Sequence, residues 1–282
     1  MKYFIVDAFT DKPFGGNPAG IVFLEKDGVF PCDERMRLIA SEFQFSETAF
    51  VQRNGPLEFT VRYFTPCGEV NLCGHATIAI FGLLWQKGIV SDNATCRLHT
   101  LAGDLEVVTG ETVMMQMAEP RILKAHVDVK QLHHIMAGNG VKEWPAMPIE
   151  IVSTGLPDIM MPVVSVEALN RLQPDMDALA EMSRQLSVIG VHAFALSDDG
   201  YTAHVRNFAP LYGIREESAT GTANAALTYY LLHYGIIADN ASCRFIQGEV
   251  MGRPSVVATR ILNGVIYVGG KICVIAQGTL LV

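Results

Sequence analysis

Apolar positions along the chain recur with two spacings. Short runs rich in β-branched and aromatic residues predict strands, and stretches with a polar side predict surface helices. The order is strands, a surface helix, more strands, one strongly apolar helix and further strands, and it occurs twice. Asp33 and Asp175 stand where N-caps are expected, ahead of helices over Glu34–Phe43 and Met176–Leu186. Ala76–Trp85 and Ala223–Leu232 are apolar over most of their circumference. A helix of that kind must be buried on all sides. The pattern therefore predicts central helices over about Gly74–Lys87 and about Gly221–Tyr234, each with a sheet curled around it.

The two halves repeat each other in sequence. Cys73-Gly74-His75-Ala76 through Gly88-Ile89 aligns with Thr220-Gly221-Thr222-Ala223 through Gly235-Ile236 at an offset of 147, and the register continues through Asp92–Arg97 and Asp239–Arg244. Upstream, Ala49-Phe50 aligns with Ala193-Phe194, and Val61-Arg62-x-Phe64-x-Pro66 with Val205-Arg206-x-Phe208-x-Pro210, at an offset of 144. An internal repeat of this length implies two homologous domains. The expected division is 1–119 and 120–273, with a C-terminal strand over about 274–282 returning to the first domain. The fold class is α+β, with two pseudo-symmetric domains each built as a mixed sheet around a central helix.

Composition narrows the function classes. The 282 residues carry a formal charge of -8, are 50% hydrophobic and 18% charged, and contain no cluster of Lys and Arg. Nucleic acid and anionic membranes are poor partners for such a chain. The longest apolar stretch is half of the roughly 20 residues that a spanning helix needs. No signal-peptide pattern follows Met1, and six cysteines without a C-x-x-C pair favour a reducing compartment, so the expected location is the cytoplasm.

Candidate chemistry gathers at the two central helix starts. The first N–H groups of a helix lack internal partners, and Gly74 and Gly221 let a ligand approach them closely. Two such ends facing one cleft would hold a carboxylate. Glu47, between apolar residues just ahead of a strand, can serve as a proton shuttle. Across the offset of 144 it faces Val191, so the halves diverge there. His75, in the first helical turn, can donate to a substrate oxygen. The eight histidines show no metal-ligand spacing such as H-E-x-x-H, and no metal is expected.

Several motifs carry a family resemblance: Asp7-Ala8-Phe9-Thr10-x-x-Pro13-Phe14-x-Gly16-Asn17-Pro18-Ala19-Gly20, Ser46-Glu47-Thr48, Phe64-Thr65-Pro66, Leu72-Cys73-Gly74-His75-Ala76-Thr77, Ser153-Thr154-Gly155, Glu216–Ala223 and Gln247-Gly248 with Met251–Ser255. From end to end the chain resembles the PhzF family of phenazine-biosynthesis isomerases, which share the diaminopimelate epimerase-like fold. The resemblance implies a cofactor-free, homodimeric isomerase acting on a small carboxylate. It assigns catalysis to Glu47, His75 and Glu217, and substrate binding to Gly74, Gly221, Thr222 and Cys73.

Glu217 departs from the family pattern, which usually has Asp there, and Thr222 stands where Ser is common. Related epimerases use two thiols, one at each helix start. Here the partner of Cys73 is Thr220, whose hydroxyl is far less acidic, so two-thiol racemisation is disfavoured and Cys73 reads as a packing residue. An epimerase or dehydratase that uses Cys73 with another base, and a non-catalytic metabolite-binding protein, remain as alternatives.

Overall fold

A computed structural model describes residues 1–25, 28–138 and 141–281. The chain forms two compact units, Met1–Gln116 with Gly269–Val282, and Met117–Val268. Among the described residues no helix is long and apolar enough to cross a membrane.

The first unit contains β1 (Lys2–Ala8), β2 (Asn17–Phe23), α1 (Asp33–Phe43), β3 (Thr48–Arg53), β4 (Glu58–Thr65), β5 (Gly68–Val70), α2 (Gly74–Gln86), β6 (Thr95–Thr100), β7 (Gly103–Val108) and β8 (Val113–Gln116). The second contains β9 (Arg121–Leu123), α3 (Val129–Ala137), β10 (Glu150–Ser153), β11 (Pro157–Pro162), α4 (Val166–Asn170), α5 (Met176–Leu186), β12 (Gly190–Leu196), β13 (Ala203–Ala209), β14 (Ile214–Glu217), α6 (Gly221–His233), β15 (Ser242–Gln247) and β16 (Ser255–Leu262). Strand β17 (Val265–Gly270) leads back to the first unit, where β18 (Ile272–Thr279) pairs antiparallel with β1.

Both units use one pairing scheme. In the first, β2 and β3 are parallel, β3 and β4 antiparallel, and β4 and β6 parallel. In the second, β11 with β12, β12 with β13 and β13 with β15 repeat that order. Each mixed sheet wraps a central helix. His75 through Leu84 of α2 are buried without interruption, as are Ala223 through Thr228 of α6. Gly82 lets α2 sit against β18, since a Cβ there would meet Ile272 Cγ1 at 2.6 Å.

The outer faces of the sheets take the surface helices. Phe50 and Phe64 pack with Met36, Ile39 and Ala40 of α1, while Ala193 and Phe208 pack with Leu179 and Met182 of α5. Phe50 lies opposite Arg62, and Ala193 opposite Arg206. Strands β3 and β12 are therefore equivalent at an offset of 143, one less than the sequence alignment assigns, while β4 and β13 keep the aligned offset of 144. A slip of one residue exchanges the two faces of a strand, and burial of the outer face fixes the register. Glu47 is consequently matched by Gly190, not Val191. A Cβ at Gly190 would lie 1.8 Å from the Phe208 carbonyl oxygen, so the second half has no room for a side chain there.

One expected cap is also corrected. Asp175 caps α5, accepting from the N–H groups of Asp177 and Ala178. Asp33 lies inside the first turn of α1, behind Cys32 as N-cap, and its carboxylate accepts from Arg62 Nη2 at 2.9 Å. An ion pair with a neighbouring strand has displaced the local cap. The repeated Arg-x-Phe pairs keep their roles: Arg62 stacks over Phe64 and pairs with Glu69, and Arg206 stacks over Phe208 and pairs with Glu216.

Candidate active site

In the first unit, three elements bring side chains together at the start of α2. Asn17 opens β2, Glu47 immediately precedes β3, and Cys73 and His75 lie at the N-cap and in the first turn. His75 Nε2 is 3.5 Å from Glu47 Oε2. Its Nδ1 is 3.4 Å from Cys73 Sγ and 3.5 Å from Asn17 Nδ2. Glu47 Oε2 is buried and takes no hydrogen bond from any described residue. A carboxylate oxygen in that state is available to a proton that arrives with a ligand.

Helices α3, α4 and α5 have side-chain caps in Asp128, Ser165 and Asp175, whereas α2 and α6, like the surface helix α1, have none. The first N–H groups of the two central helices are thus left without the usual side-chain acceptor. A Cβ on Gly74 would meet only Met115 Cε, at 3.8 Å. Packing does not demand a glycine there, which fits close approach of a ligand to the backbone.

The second unit places Glu217 at the end of β14, Thr220 as N-cap of α6, and Gly221 and Thr222 in its first turn. Thr220 Oγ1 donates to Glu217 Oε2 at 2.6 Å, and Thr154 Oγ1 to the Thr222 carbonyl at 2.9 Å. Gln247 clamps the turn from the end of β15. Its Nε2 donates to the Glu217 carbonyl at 2.8 Å, and its Oε1 accepts from Thr220 N at 3.1 Å. Gly248 has φ +79°, and a Cβ there would meet Ser218 O at 2.8 Å, so the Gln-Gly pair lets β15 close onto this turn.

Of the residues singled out from sequence, Glu47, Cys73, Gly74 and His75 assemble at one helix start, and Glu217, Gly221 and Thr222 at the other. Asn17 and Gln247 have no role in the sequence reading, and Thr220 enters it only as the counterpart of Cys73, although all three stand in the motifs that carry the resemblance. A metal is open to a simple test of donors. Glu47, Cys73 and His75 present an oxygen, a sulfur and a nitrogen within 4.8 Å of one another, a mixed set of the kind that zinc accepts.

The profile for phenazine biosynthesis-like proteins matches residues 6–278. The chain belongs to the PhzF family. It is 33% identical to an uncharacterized isomerase of Clostridium acetobutylicum over 91% of this chain and 88% of that one. It is 31% identical to the trans-2,3-dihydro-3-hydroxyanthranilate isomerase of Pseudomonas fluorescens, over 91% of this chain and 88% of that one. A crystal structure of a PhzF family protein from Bacillus anthracis superposes with a TM-score of 0.89 at 26% identity, covering 100% of this chain and 99% of that one. The protein is thus an isomerase of the PhzF family, with the epimerase-like fold.

Proposed function

We propose that this PhzF-family isomerase moves a proton within a small anionic carboxylic acid that is cyclic or unsaturated, with Glu47 taking and returning the proton. The observation that carries the reading is the buried Glu47 Oε2, which takes no hydrogen bond from any described residue and lies 3.5 Å from His75 Nε2. His75 would donate to a substrate oxygen as charge develops, and Glu217 would meet a substrate amine or hydroxyl. The N–H groups at the α2 start, at Gly74, and those at the α6 start, at Gly221 and Thr222, are each donors suited to a substrate carboxylate. Proton transfer between carbons is redox-neutral, so the reading requires no cofactor, and it includes the homodimer that the family resemblance implies.

The test is exchange at carbon. The acid in the name of the Pseudomonas relative, trans-2,3-dihydro-3-hydroxyanthranilate, is the first probe, followed by a panel of unsaturated and cyclic carboxylic acids in deuterated water. Deuterium uptake and product formation followed by NMR, both lost in Glu47→Gln, are expected. Exchange that survives Glu47→Gln and disappears in Cys73→Ser would replace this reading by the thiol mechanism, which the 3.4 Å contact between Cys73 Sγ and His75 Nδ1 favours.

A further inference from the structure

Glu47, Cys73 and His75 offer one oxygen, one sulfur and one nitrogen, all within 4.8 Å of one another. No other group of three His, Cys, Asp or Glu donors is brought together at that span among the described residues. The donors come from two places in the chain, the residue ahead of β3 and the start of α2, so a local motif such as H-E-x-x-H does not describe them. Proton transfer at Glu47 uses the carboxylate and the ring, and leaves the thiol without a task.

The other half shows that the fold does not require this set. The equivalent positions are Gly190, Thr220 and Thr222, at the strand offset of 143 and the helix offset of 147. None of them supplies a carboxylate, thiol or imidazole. Helix α6 nevertheless starts as α2 does, after an N-cap residue that makes no side-chain cap. The first half alone therefore gathers donors suited to a zinc-like divalent cation.

The spacing also fits a metal. Zinc bonds of about 2.0 Å to nitrogen and oxygen and about 2.3 Å to sulfur give tetrahedral edges of about 3.3 Å for O and N and about 3.6 Å for S and N. His75 Nε2 lies 3.5 Å from Glu47 Oε2 and 3.7 Å from Cys73 Sγ, both within about 0.2 Å of those edges. Cys73 Sγ is nearer still to Nδ1, at 3.4 Å, so binding turns the ring to aim Nε2 at the ion. Glu47 Oε2 takes no hydrogen bond from any described residue, and a cation there displaces no described donor. His75 Nδ1 is 3.5 Å from the Asn17 amide, which can present its oxygen to a ring proton on that nitrogen. A metal-bound imidazole is held in this way through its second nitrogen. The Glu47 side chain is 21% exposed, which leaves a route for an ion. Carboxylate and thiolate together carry two negative charges against two positive ones. The positive end of α2 opposes the cation with only about half an elementary charge.

We propose that Glu47, Cys73 and His75 form an inhibitory site for a zinc-like divalent cation, bound through Glu47 Oε2, Cys73 Sγ and His75 Nε2. Binding releases the thiol proton to solvent, changes no oxidation state and leaves a fourth position to water. The ion takes the carboxylate and the imidazole that would handle the substrate proton, so metal and turnover exclude each other. Binding stands on the donor geometry, whereas inhibition rests on the reading of Glu47 and His75 as the proton-handling pair.

Calorimetry and absorption spectroscopy on protein stripped of metal by a chelator test the site. Cys32→Ser with Cys67→Ser serves as the parent, because those two thiols are exposed and would compete for zinc. The parent is expected to bind a single equivalent of zinc with Kd below about 1 μM. Binding should be more than about 100-fold weaker in Cys73→Ser and in His75→Ala, and about 10-fold to 100-fold weaker in Asn17→Ala. Cobalt(II) on the parent should give a thiolate charge-transfer band together with the intense visible absorption of a four-coordinate ion, a readout that needs no further variant to fold. Zinc should abolish carbon–deuterium exchange on the hydroxyanthranilate probe, or on the panel acid that exchanges, and EDTA should restore it. No zinc binding of that strength in the parent, equal affinity in Cys73→Ser, or bound cobalt without a thiolate band would overturn the site. Exchange that persists or rises with zinc bound would overturn its inhibitory role. If no acid exchanges, the isomerase reading fails, and calorimetry with cobalt absorption still decides the metal site.

Discussion

Glu47 Oε2 lies 3.5 Å from His75 Nε2, buried and with no hydrogen bond from any described residue. A carboxylate oxygen so placed can gain and lose a proton without first breaking a protein contact. Glu47→Gln keeps the shape and some hydrogen-bonding capacity but cannot shuttle a proton. The expected result is a loss of about 100-fold to 10,000-fold in carbon–deuterium exchange, with ligand affinity and melting temperature nearly intact.

Cys73→Ser separates the thiol from the carboxylate. The thiol contacts His75 at 3.4 Å, whereas its counterpart Thr220 is engaged with Glu217 at 2.6 Å. Only one helix start therefore presents a thiol. Under a Glu47 shuttle, Cys73→Ser should lower exchange by less than about 10-fold, through a small change in His75 placement. Titration with zinc, followed by calorimetry on the wild type and on Cys73→Ser, tests the mixed donor set separately: binding should weaken in the variant if the sulfur is a ligand.

The repeat and the apolar helices make the architecture legible in the sequence, because both signals are one-dimensional. Burial of every residue from His75 to Leu84 follows from a run without a polar face. The register of β3 was not legible. Aligning Ala49-Phe50 with Ala193-Phe194 matched identical letters, but faces are decided by what packs against the sheet, and Phe50 and Ala193 both turn to surface helices. Asp33 looked like a cap because capping is local, while its partner Arg62 comes from β4. Gln247 and Asn224 were invisible as a pair, since 23 residues separate two side chains that meet only after α6 docks.

The two repeated arginines give a stability comparison. Arg206 and Glu216 side chains are 8% and 15% exposed, and Arg206 Nη1 also reaches the carbonyls of Leu169 and Leu172 at 3.0 Å. Removing one partner of a buried pair leaves an uncompensated charge, which costs about 3–5 kcal/mol. Glu216→Gln should therefore lower unfolding free energy strongly in denaturant titration. Glu69→Gln, beside the more exposed Arg62, which keeps Asp33, should cost about 1 kcal/mol or less.

Asp158 and His192 supply a pH signature with opposite signs. Burial pushes the Asp158 carboxyl up to about 7 from 3.8, and pushes His192 down to about 3 from 6.5. Asp158 holds its proton more tightly in the folded state, so its contribution is full below about pH 4 and is lost as pH rises to about 7. His192 holds its proton less tightly when folded, so its contribution is full above about pH 6.5 and is lost as pH falls toward about 3. Between about pH 4 and about pH 6.5 the two slopes oppose each other, and wild-type stability should show little dependence from this pair. Each single replacement unmasks the other group. Asp158→Asn should make stability rise with pH across that window, by at most about 1.4 kcal/mol per pH unit for one proton. His192→Gln should make it fall with pH by a similar amount, up to about pH 7. Urea titrations at half-unit pH steps on the three proteins give the slopes directly. Parallel curves for all three would mean that neither group is perturbed by its burial.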